Sequence, residues 1–277
     1  MDILFINSKN NEIKTYQVKY SNFKKFLALT LTVFLISYLS GILHELGHQV
    51  VLAITLRNPT MSFLGLVQMW EEPLHPENWV KISILGIGEG WLRLSSLPGS
   101  AMEWVIMLLA GQLIQPILII IGWNVWRNNE KQIYKELGII LMFMNGVIFL
   151  NIIINYFSGF GDLHFINYFT WFPLEILVAF LAGFEFIGFL YAMMKLRILL
   201  YKSKKGVISF FLAFVINIII MKIIGLAHQF IIEQINLENP LFQPILGWSI
   251  PALITNIGFA FILVFLLIKK KHSRLFF

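Results

Sequence analysis

The run FLALTLTVFLISYLSGILHELGHQVVLAITL, residues 26–56, decides the fold class of this chain. About 20 predominantly apolar residues cross a bilayer as a helix, so this run is long enough to span one. Towards its carboxyl end it contains His44, Glu45 and His48. Ionisable side chains are costly to bury in a membrane, and these three are therefore candidate functional residues.

The composition of the whole chain agrees with a membrane environment. Hydrophobic residues make up 58% of the 277 residues and charged residues only 13%, which is typical of a polytopic membrane protein rather than a soluble domain. The chain has no Cys, which excludes disulfide bonds and thiolate zinc ligands. A zinc site would therefore need His and carboxylate ligands.

Apolar segments of roughly spanning length recur along the chain. Only helices and closed barrels satisfy every backbone hydrogen bond in lipid, and the strands of a barrel would be shorter than these segments. The predicted fold class is therefore an all-α polytopic membrane protein with about six transmembrane helices. The segments lie near residues 26–56, 101–126, 137–157, 172–199, 207–228 and 248–268.

The connection 57–100, between the first two spans, is the longest in the chain. Its stretches 62–69 and 79–85 have strand-like composition, and Pro73, Pro76 and a glycine cluster interrupt them. The glycines lack the strand-loop-helix frame and the following Lys-Ser/Thr of a phosphate-binding loop. We expect a small β-like or re-entrant segment here.

The net charge of +6 does not indicate nucleic-acid binding, because the Lys and Arg residues lie between apolar segments rather than in one stripe. They cluster before the first span, after the second and fourth spans, and at the end of the chain, whereas 158–171 and 229–247 contain none. The positive-inside rule then predicts a multi-pass protein of the cell membrane with both termini in the cytoplasm.

Three regions follow from this pattern. Residues 1–25 are predicted to be a cytoplasmic segment, and their alternation around Asn7–Asn11 indicates a possible hairpin. Residues 26–171 are predicted to be a three-helix membrane core with the connection 57–100. Residues 172–277 are predicted to contribute additional transmembrane helices and a short basic tail.

The spacing of His44 and His48 predicts a metal site. Residues four apart share one face of a helix, so both imidazoles can bind one zinc ion, with Glu45 close to a water on that ion. These are the parts of a zinc hydrolase.

A catalytic zinc usually has a third protein ligand and one open position. The chain has only two Asp residues, and Asp162, which directly follows the third span, is the predicted third ligand. Asn151, Asn155, Ser158 and Asp162 form one helical stripe if the span stays helical through its glycines. A solvated Asp162 that only caps the span, or His164 as the ligand, are the alternatives.

Three blocks resemble the site-2-protease-like intramembrane zinc metalloproteases. The pentad 44–48 looks like the metal-binding span of that family. Residues 110–115, Ala-Gly-Gln-Leu-Ile-Gln, are similar to its Ala-Gly-Pro-Leu-x-Asn block, and residues 155–158 with Asp162 are similar to its Asn-x-x-Pro and Asp-Gly block. The chain departs from the family at Gln112, Gln115, Ser158 and Leu163. The resemblance extends over the first three spans, a little over half of the chain.

The resemblance implies an intramembrane zinc endopeptidase. Zn²⁺ would be bound by His44, His48 and Asp162, and Glu45 would serve as general base and then general acid. The substrate would be a transmembrane segment of another membrane protein, which a strand edge in 57–100 could hold extended. Substrate-binding or oxyanion contacts would come from polar residues of the second and third spans, for which hydrogen bonding between helices is the alternative. They are Gln112, Gln115 and Asn155.

Two other functions remain open from the sequence. A membrane zincin of the CAAX-processing class would take a Glu as third ligand, and Glu175 or Glu185 are available. A non-catalytic metal-binding membrane protein or transporter would keep the metal without cleaving peptide bonds. The sequence sets no oligomeric state.

Overall fold

The computed structural model describes residues 7–269 except for 58, 62–75, 85–87, 94, 96, 160, 171–172, 201–203 and 246. The described chain is mostly helical and contains five helices that are long and apolar enough to cross a membrane. The prediction of a mostly helical chain with several helices of spanning length is confirmed at this level. The five helical segments are Phe23–Ile54, Ala101–Asn128, Gln132–Ser158, Leu174–Arg197 and Gly206–Ile235.

Between residues 101 and 236 the helices follow one another with short connections. The second span consists of two helices that meet at Leu113, and the third consists of two that meet near Val147. The helices are α1 (Asn7–Ile54), α2 (Ala101–Gln112), α3 (Ile114–Asn128), α4 (Gln132–Gly146), α5 (Phe149–Ser158), α6 (Asp162–Phe169), α7 (Leu174–Leu200), α8 (Lys204–Asn236) and α9 (Ile250–Lys269).

The sixth predicted span, 248–268, corresponds to α9. Its described apolar part, Ile250–Phe265, is shorter than the other five spans. The described residues therefore give five helices of full spanning length and one shorter apolar helix, where the sequence predicts about six.

The amino-terminal segment differs from its prediction. Residues 7–25 belong to α1 and are helical, so the hairpin predicted around Asn7–Asn11 does not form. The chain contains no Pro between residues 7 and 54. Once the first span is helical, each added residue gains a backbone hydrogen bond without a new nucleation step, and the helix extends towards the amino terminus.

The third span ends before Asp162. Gly159 caps α5 in the left-handed conformation, with φ of 68°, and Gly161 has φ of 90°. Such angles are costly for residues with a Cβ, so these glycines permit the turn. Asp162 begins the separate helix α6, and the stripe from Asn151 to Asp162 is not continuous.

The connection 57–100 contains a hairpin. Strand β1 (Trp79–Ile84) pairs antiparallel with β2 (Gly88–Arg93), so that Trp79 lies opposite Arg93. The other strand-like stretch, 62–69, lies outside the described residues. A second short pair, β3 (Pro244–Ile245) and β4 (Trp248–Ser249), precedes α9.

Helix α1 lies at the centre of the bundle. Val33, Leu35 and Tyr38 are fully buried in its middle, and α2, α4, α8 and α9 pack around it. Elsewhere, α3 and α4 approach closely, since a Cβ on Gly122 would lie 2.8 Å from the carbonyl oxygen of Gly138. The central position of α1 places its carboxyl-terminal half, with the pentad, against neighbouring helices rather than lipid alone.

Candidate metal centre

Two glycines bring α1 and α2 together at the site. A Cβ on Gly47 would lie 2.7 Å from the carbonyl oxygen of Ala110, and a Cβ on Gly111 would lie 2.2 Å from Cε1 of His48. Both distances are shorter than a carbon atom tolerates, so the two helices can approach this closely only without these side chains. The imidazole of His48 therefore lies flat against the backbone of α2.

The ring of His48 is oriented by a backbone hydrogen bond. Its Nδ1 lies 2.8 Å from the carbonyl oxygen of Met107, and because a carbonyl only accepts, Nδ1 carries the proton. In the neutral ring, Nε2 then presents a lone pair. Ligand histidines in metal sites are commonly oriented in this way.

The ring of His44 has a side-chain partner. Its Nδ1 lies 3.1 Å from Oε1 of Gln115, which is buried with 3% of its surface exposed. Nε2 of the same amide lies 3.0 Å from this Nδ1. In the arrangement that suits a metal ligand, Oε1 accepts from Nδ1, and Nε2 of His44 presents a lone pair. Both imidazoles can therefore direct Nε2 to the same point.

Asp162 completes a triangle of ligand atoms. Its Oδ2 lies 3.3 Å from Nε2 of His44 and 3.3 Å from Nε2 of His48, and the two Nε2 atoms lie 3.1 Å apart. Ligand bonds of about 2.0–2.1 Å at tetrahedral angles place ligand atoms about 3.3 Å apart. The triangle has the size of one face of such a tetrahedron.

The donor set also fits a cation. Two imidazole lone pairs and a carboxylate oxygen converge, which is unfavourable unless a positive charge lies among them. Burial raises the pKa of Asp162, but in the metal-free protein protonated imidazoles donate to its carboxylate, and their hydrogen bonds and charge lower that pKa well below its ordinary value. The carboxyl group is therefore ionised, the form that binds a metal.

Glu45 lies beside these ligands. Ligand atoms of His44, Glu45 and His48 all lie within 4.8 Å of one another, so these three residues could hold a metal ion. The triangle that Asp162 makes with the two histidines is tighter, with sides of 3.1–3.3 Å. This leaves Glu45 adjacent to the ion position rather than within the closest set.

A cavity of about 320 Å³ opens beside the triangle. His44, Glu45 and Asp162 form one part of its wall, and Asn155 and His164 form another. Apolar side chains of α7 and of the α4 to α5 junction close the remainder: Ile148, Leu174 and Val178. The ion position thus adjoins a space that can admit water and a peptide segment.

Gln112 and Gln115 line the cavity and also hydrogen-bond to ligand residues. Nε2 of Gln112 donates to Oδ2 of Asp162 at 2.8 Å, and Gln115 contacts His44. These contacts can orient the two ligands, and the predicted substrate contact of both amides stays a prediction. Asn155 lines the cavity and packs against Gly161, where a Cβ would lie 2.7 Å from its Nδ2.

The alternative third ligands lie elsewhere. Glu175 is exposed at the start of α7. Glu185 is fully buried, and its carboxylate oxygens have no hydrogen-bond partner among the described residues. Neither lines the cavity. His164 does line it, although Asp162 is the residue that closes the triangle.

Sequence reasoning missed three features of the site. The Met107 carbonyl has no sequence signature, because any residue supplies a carbonyl oxygen. The contact of Gly47 with Gly111 could have been anticipated, since both are small residues within apolar spans. The contacts of the two glutamines could also have been anticipated from the sequence, because an amide in an apolar helix needs a polar partner.

Comparison of the chain with family models, with curated proteins and with solved structures gives no match.

Proposed function

We propose that this protein is an intramembrane zinc endopeptidase that hydrolyses a peptide bond within or near a transmembrane segment of another membrane protein. One observation carries the proposal: the ligand atoms of His44, His48 and Asp162 form a triangle with sides of 3.1–3.3 Å, with Glu45 at an adjoining cavity. The resemblance of the pentad and of two further blocks to site-2-protease-like enzymes supports it.

Zinc is the metal that the donor set favours. Two imidazole nitrogens and one carboxylate oxygen, with the fourth position open, are a ligand set of catalytic zinc sites. When bound, zinc would lower the pKa of a water and polarise the scissile carbonyl. The orienting contacts of Met107, Gln112 and Gln115 would hold the three ligands in place for it.

Glu45 would move the proton during hydrolysis. As the water oxygen bonds to the carbonyl carbon, the carboxylate of Glu45 takes up the water proton. It then gives this proton to the nitrogen as the carbon–nitrogen bond breaks, which restores the carboxylate. Its position beside His44, at the wall of the cavity, suits both transfers.

The substrate would enter the cavity as an extended chain. Peptide bonds in a helix are shielded by backbone hydrogen bonds, so a transmembrane substrate must unwind locally before attack. The apolar wall formed by Ile148, Leu174 and Val178 suits apolar side chains of such a segment. The partners are therefore a membrane-protein substrate and the lipid bilayer, not nucleic acid.

The experiment changes Glu45 alone. We expect Glu45→Gln protein, purified in detergent, to bind as much zinc as wild type, because the triangle of ligands is intact. In cells, wild type should produce membrane-protein fragments with new amino termini that the variant does not produce. Glu175→Gln, which changes an exposed carboxylate outside the cavity, is the matched control and should behave as wild type.

Identical sets of fragments from wild type and Glu45→Gln would contradict the peptidase. If both proteins still bind zinc, a metal-binding or transport role would then replace it. Absence of zinc from the wild type would contradict the metal site itself.

We also propose that the site lies towards the outer face of the cell membrane. Nζ of Lys195 lies 4.5 Å from the ring of Trp126, so the basic end of α7 meets the end of α3. The pentad lies near the carboxyl end of α1, and Asp162 follows the carboxyl end of the third span. Both ends are opposite to the basic ends of these spans. If basic ends face the cytoplasm, as the positive-inside rule states, both termini are cytoplasmic and the site is not.

Single cysteines test this topology, since the chain contains none. In intact cells, a membrane-impermeant maleimide should label Leu241→Cys, which is exposed between α8 and α9. Lys131→Cys, in the exposed turn before α4, should be labelled only after permeabilisation. The reverse pattern would contradict the orientation.

A further inference from the structure

His164 is a cavity residue to which the mechanism above gives no role. It lies on α6, two residues after Asp162, and lines the same cavity as Glu45. Its Nδ1 is buried and has no hydrogen-bond partner among the described residues. Since Nε2 is not buried in this way, Nε2 is the ring nitrogen that reaches open space.

The proton of the neutral ring belongs on Nε2. A buried N–H group without a partner loses its hydrogen bond to water and gains nothing in return, which is unfavourable. The tautomer with the lone pair on the buried Nδ1 avoids that loss. His164 then presents an N–H donor to the cavity.

The metal site and its orienting contacts assign no other role to the side chain of His164. The metal triangle is complete with His44, His48 and Asp162, and a fourth protein ligand would close the position that water needs. Gln112 and Gln115, predicted as donors to the substrate, are engaged with the ligand residues. His164 is a cavity donor that these contacts leave available, beside Asn151, Asn155 and Tyr156 in the same wall.

The ring lies beside the turn before α6. A Cβ on Gly159 would lie 3.8 Å from Cε1 of His164 and 4.0 Å from its Nε2. Gly159 has a left-handed backbone and no side chain, which leaves this space open. A donor at the wall of the cavity can approach the oxygen of a bound peptide, where such donors stabilise developing negative charge.

We propose that His164 is a further catalytic residue: its Nε2–H group donates a hydrogen bond to the scissile carbonyl oxygen as negative charge develops there. This inference rests on the proposed peptidase function. His164 keeps its proton throughout. The water oxygen bonds to the carbonyl carbon, Glu45 carries the water proton to the leaving nitrogen, and the carbon–nitrogen bond breaks.

A tetrahedral probe tests the donor without requiring turnover. N-phosphoryl-leucinamide carries anionic oxygens in the arrangement of the developing oxyanion, and its binding to purified zinc-loaded protein can be measured by calorimetry. We expect His164→Phe, which keeps a ring but has no N–H, to bind the probe about 100-fold more weakly, in line with the loss of an oxyanion donor. His164→Asn, which retains an N–H donor, should bind with intermediate affinity.

His228→Phe is the matched control. Nδ1 of His228 is also buried without a described partner, but His228 lies on α8 and does not line the cavity. It should bind the probe as wild type does. All three variants should contain zinc in the wild-type amount, which separates a lost donor from a lost metal or a misfolded site.

Two results would overturn the inference: equal binding of the probe by wild type and His164→Phe, or absence of probe binding by the zinc-loaded wild type. The fragment experiment with Glu45→Gln is independent of this measurement. If wild type and Glu45→Gln give identical fragments while probe binding still depends on His164, the peptidase proposal fails and the catalytic role of His164 fails with it. His164 is then a donor to an anion bound at the metal site and no more. If fragments form and His164→Phe forms them at the wild-type rate, only the inference fails.

Discussion

The metal centre has two halves that are held in different ways. On the helix half, His44 and His48 project from one face of α1 and are oriented by Gln115 and the Met107 carbonyl. On the turn half, Asp162 follows two glycines with positive φ and is held by Gln112. Regular helix geometry positions the first half, whereas two unusual backbone conformations position the second.

The difference indicates which half can adjust. His48 is 5% exposed and packs against the backbone of α2, so it has no room to move. The side chain of Asp162 is 27% exposed and begins a helix of only eight residues. We therefore expect the helix half to define the ion position and the turn half to close on it.

The largest effects should follow from removal of a ligand. Replacing a residue that only orients a ligand lowers metal affinity by at most about 100-fold. We expect His48→Ala and Asp162→Ala, which remove a ligand itself, to lower zinc affinity by more than this. His48→Ala should have the greater effect, since Asp162 lies on the half that can adjust. Zinc content after dialysis against graded chelator measures this.

His228→Ala, outside the cavity, is the control for that series and should retain zinc as wild type does. A greater loss from Asp162→Ala than from His48→Ala would reverse the proposed order of the two halves.

Close packing of the helix half predicts the next effect. A Cβ in Gly111→Ala would overlap the ring of His48 at 2.2 Å, so either the ring must rotate or α1 and α2 must separate. Zinc affinity should fall about 10-fold or more, as when a ligand loses its orientation. Gly183→Ala is the control, because no atom lies within 4 Å of its added Cβ. Equal zinc affinity of the two variants would contradict the packing.

Zinc binding by the turn half should depend on the backbone conformation of Gly161. Gly161 has φ of 90°, and a side chain there would also lie 2.7 Å from Nδ2 of Asn155. Backbone strain of this kind costs about 1–3 kcal/mol, so Gly161→Ala should shift Asp162 and weaken zinc binding by up to about 100-fold. Gly258→Ala, with open space around its Cβ, should have no effect on zinc. Wild-type affinity in Gly161→Ala would show that the turn adapts without moving Asp162.

The two halves also differ in how far the sequence predicts them. The spacing of His44 and His48 is a local property of one helix, and an apolar run sets that helix, so both follow from residues 26–56 alone. Asp162 is predicted because it is one of only two Asp residues, follows the third span directly and ends a polar stripe that assumes a continuous helix. The sequence could not show how its carboxylate reaches α1, because this depends on where α5 ends.

Two predictions from the sequence, the continuous stripe and the amino-terminal hairpin, are wrong for the same reason. A continuous stripe through Asp162 required α5 to pass Gly159, but the backbone turns there. The hairpin at Asn7–Asn11 relied on local polar residues, while the adjoining span extended its helix through them. In each case a neighbouring element determined a conformation that local composition could not.

The two glutamines compare the halves directly. Gln115 is 3% exposed and orients His44, whereas Gln112 is half-buried and donates to Asp162. Loss of an orienting contact to a ligand lowers metal affinity by about 10- to 100-fold. Gln115→Leu should approach the upper value, since water cannot replace the lost partner. Gln112→Leu should stay near the lower value, since water can reach Asp162.

Competition with a zinc chelator measures both variants, with Gln132→Leu on α4, remote from the cavity, as the control. If Gln112→Leu loses more zinc affinity than Gln115→Leu, the turn half is the more rigid one in solution. The ion would then be positioned from the turn, and the spacing of the two histidines, although it predicts the site, would not define its geometry.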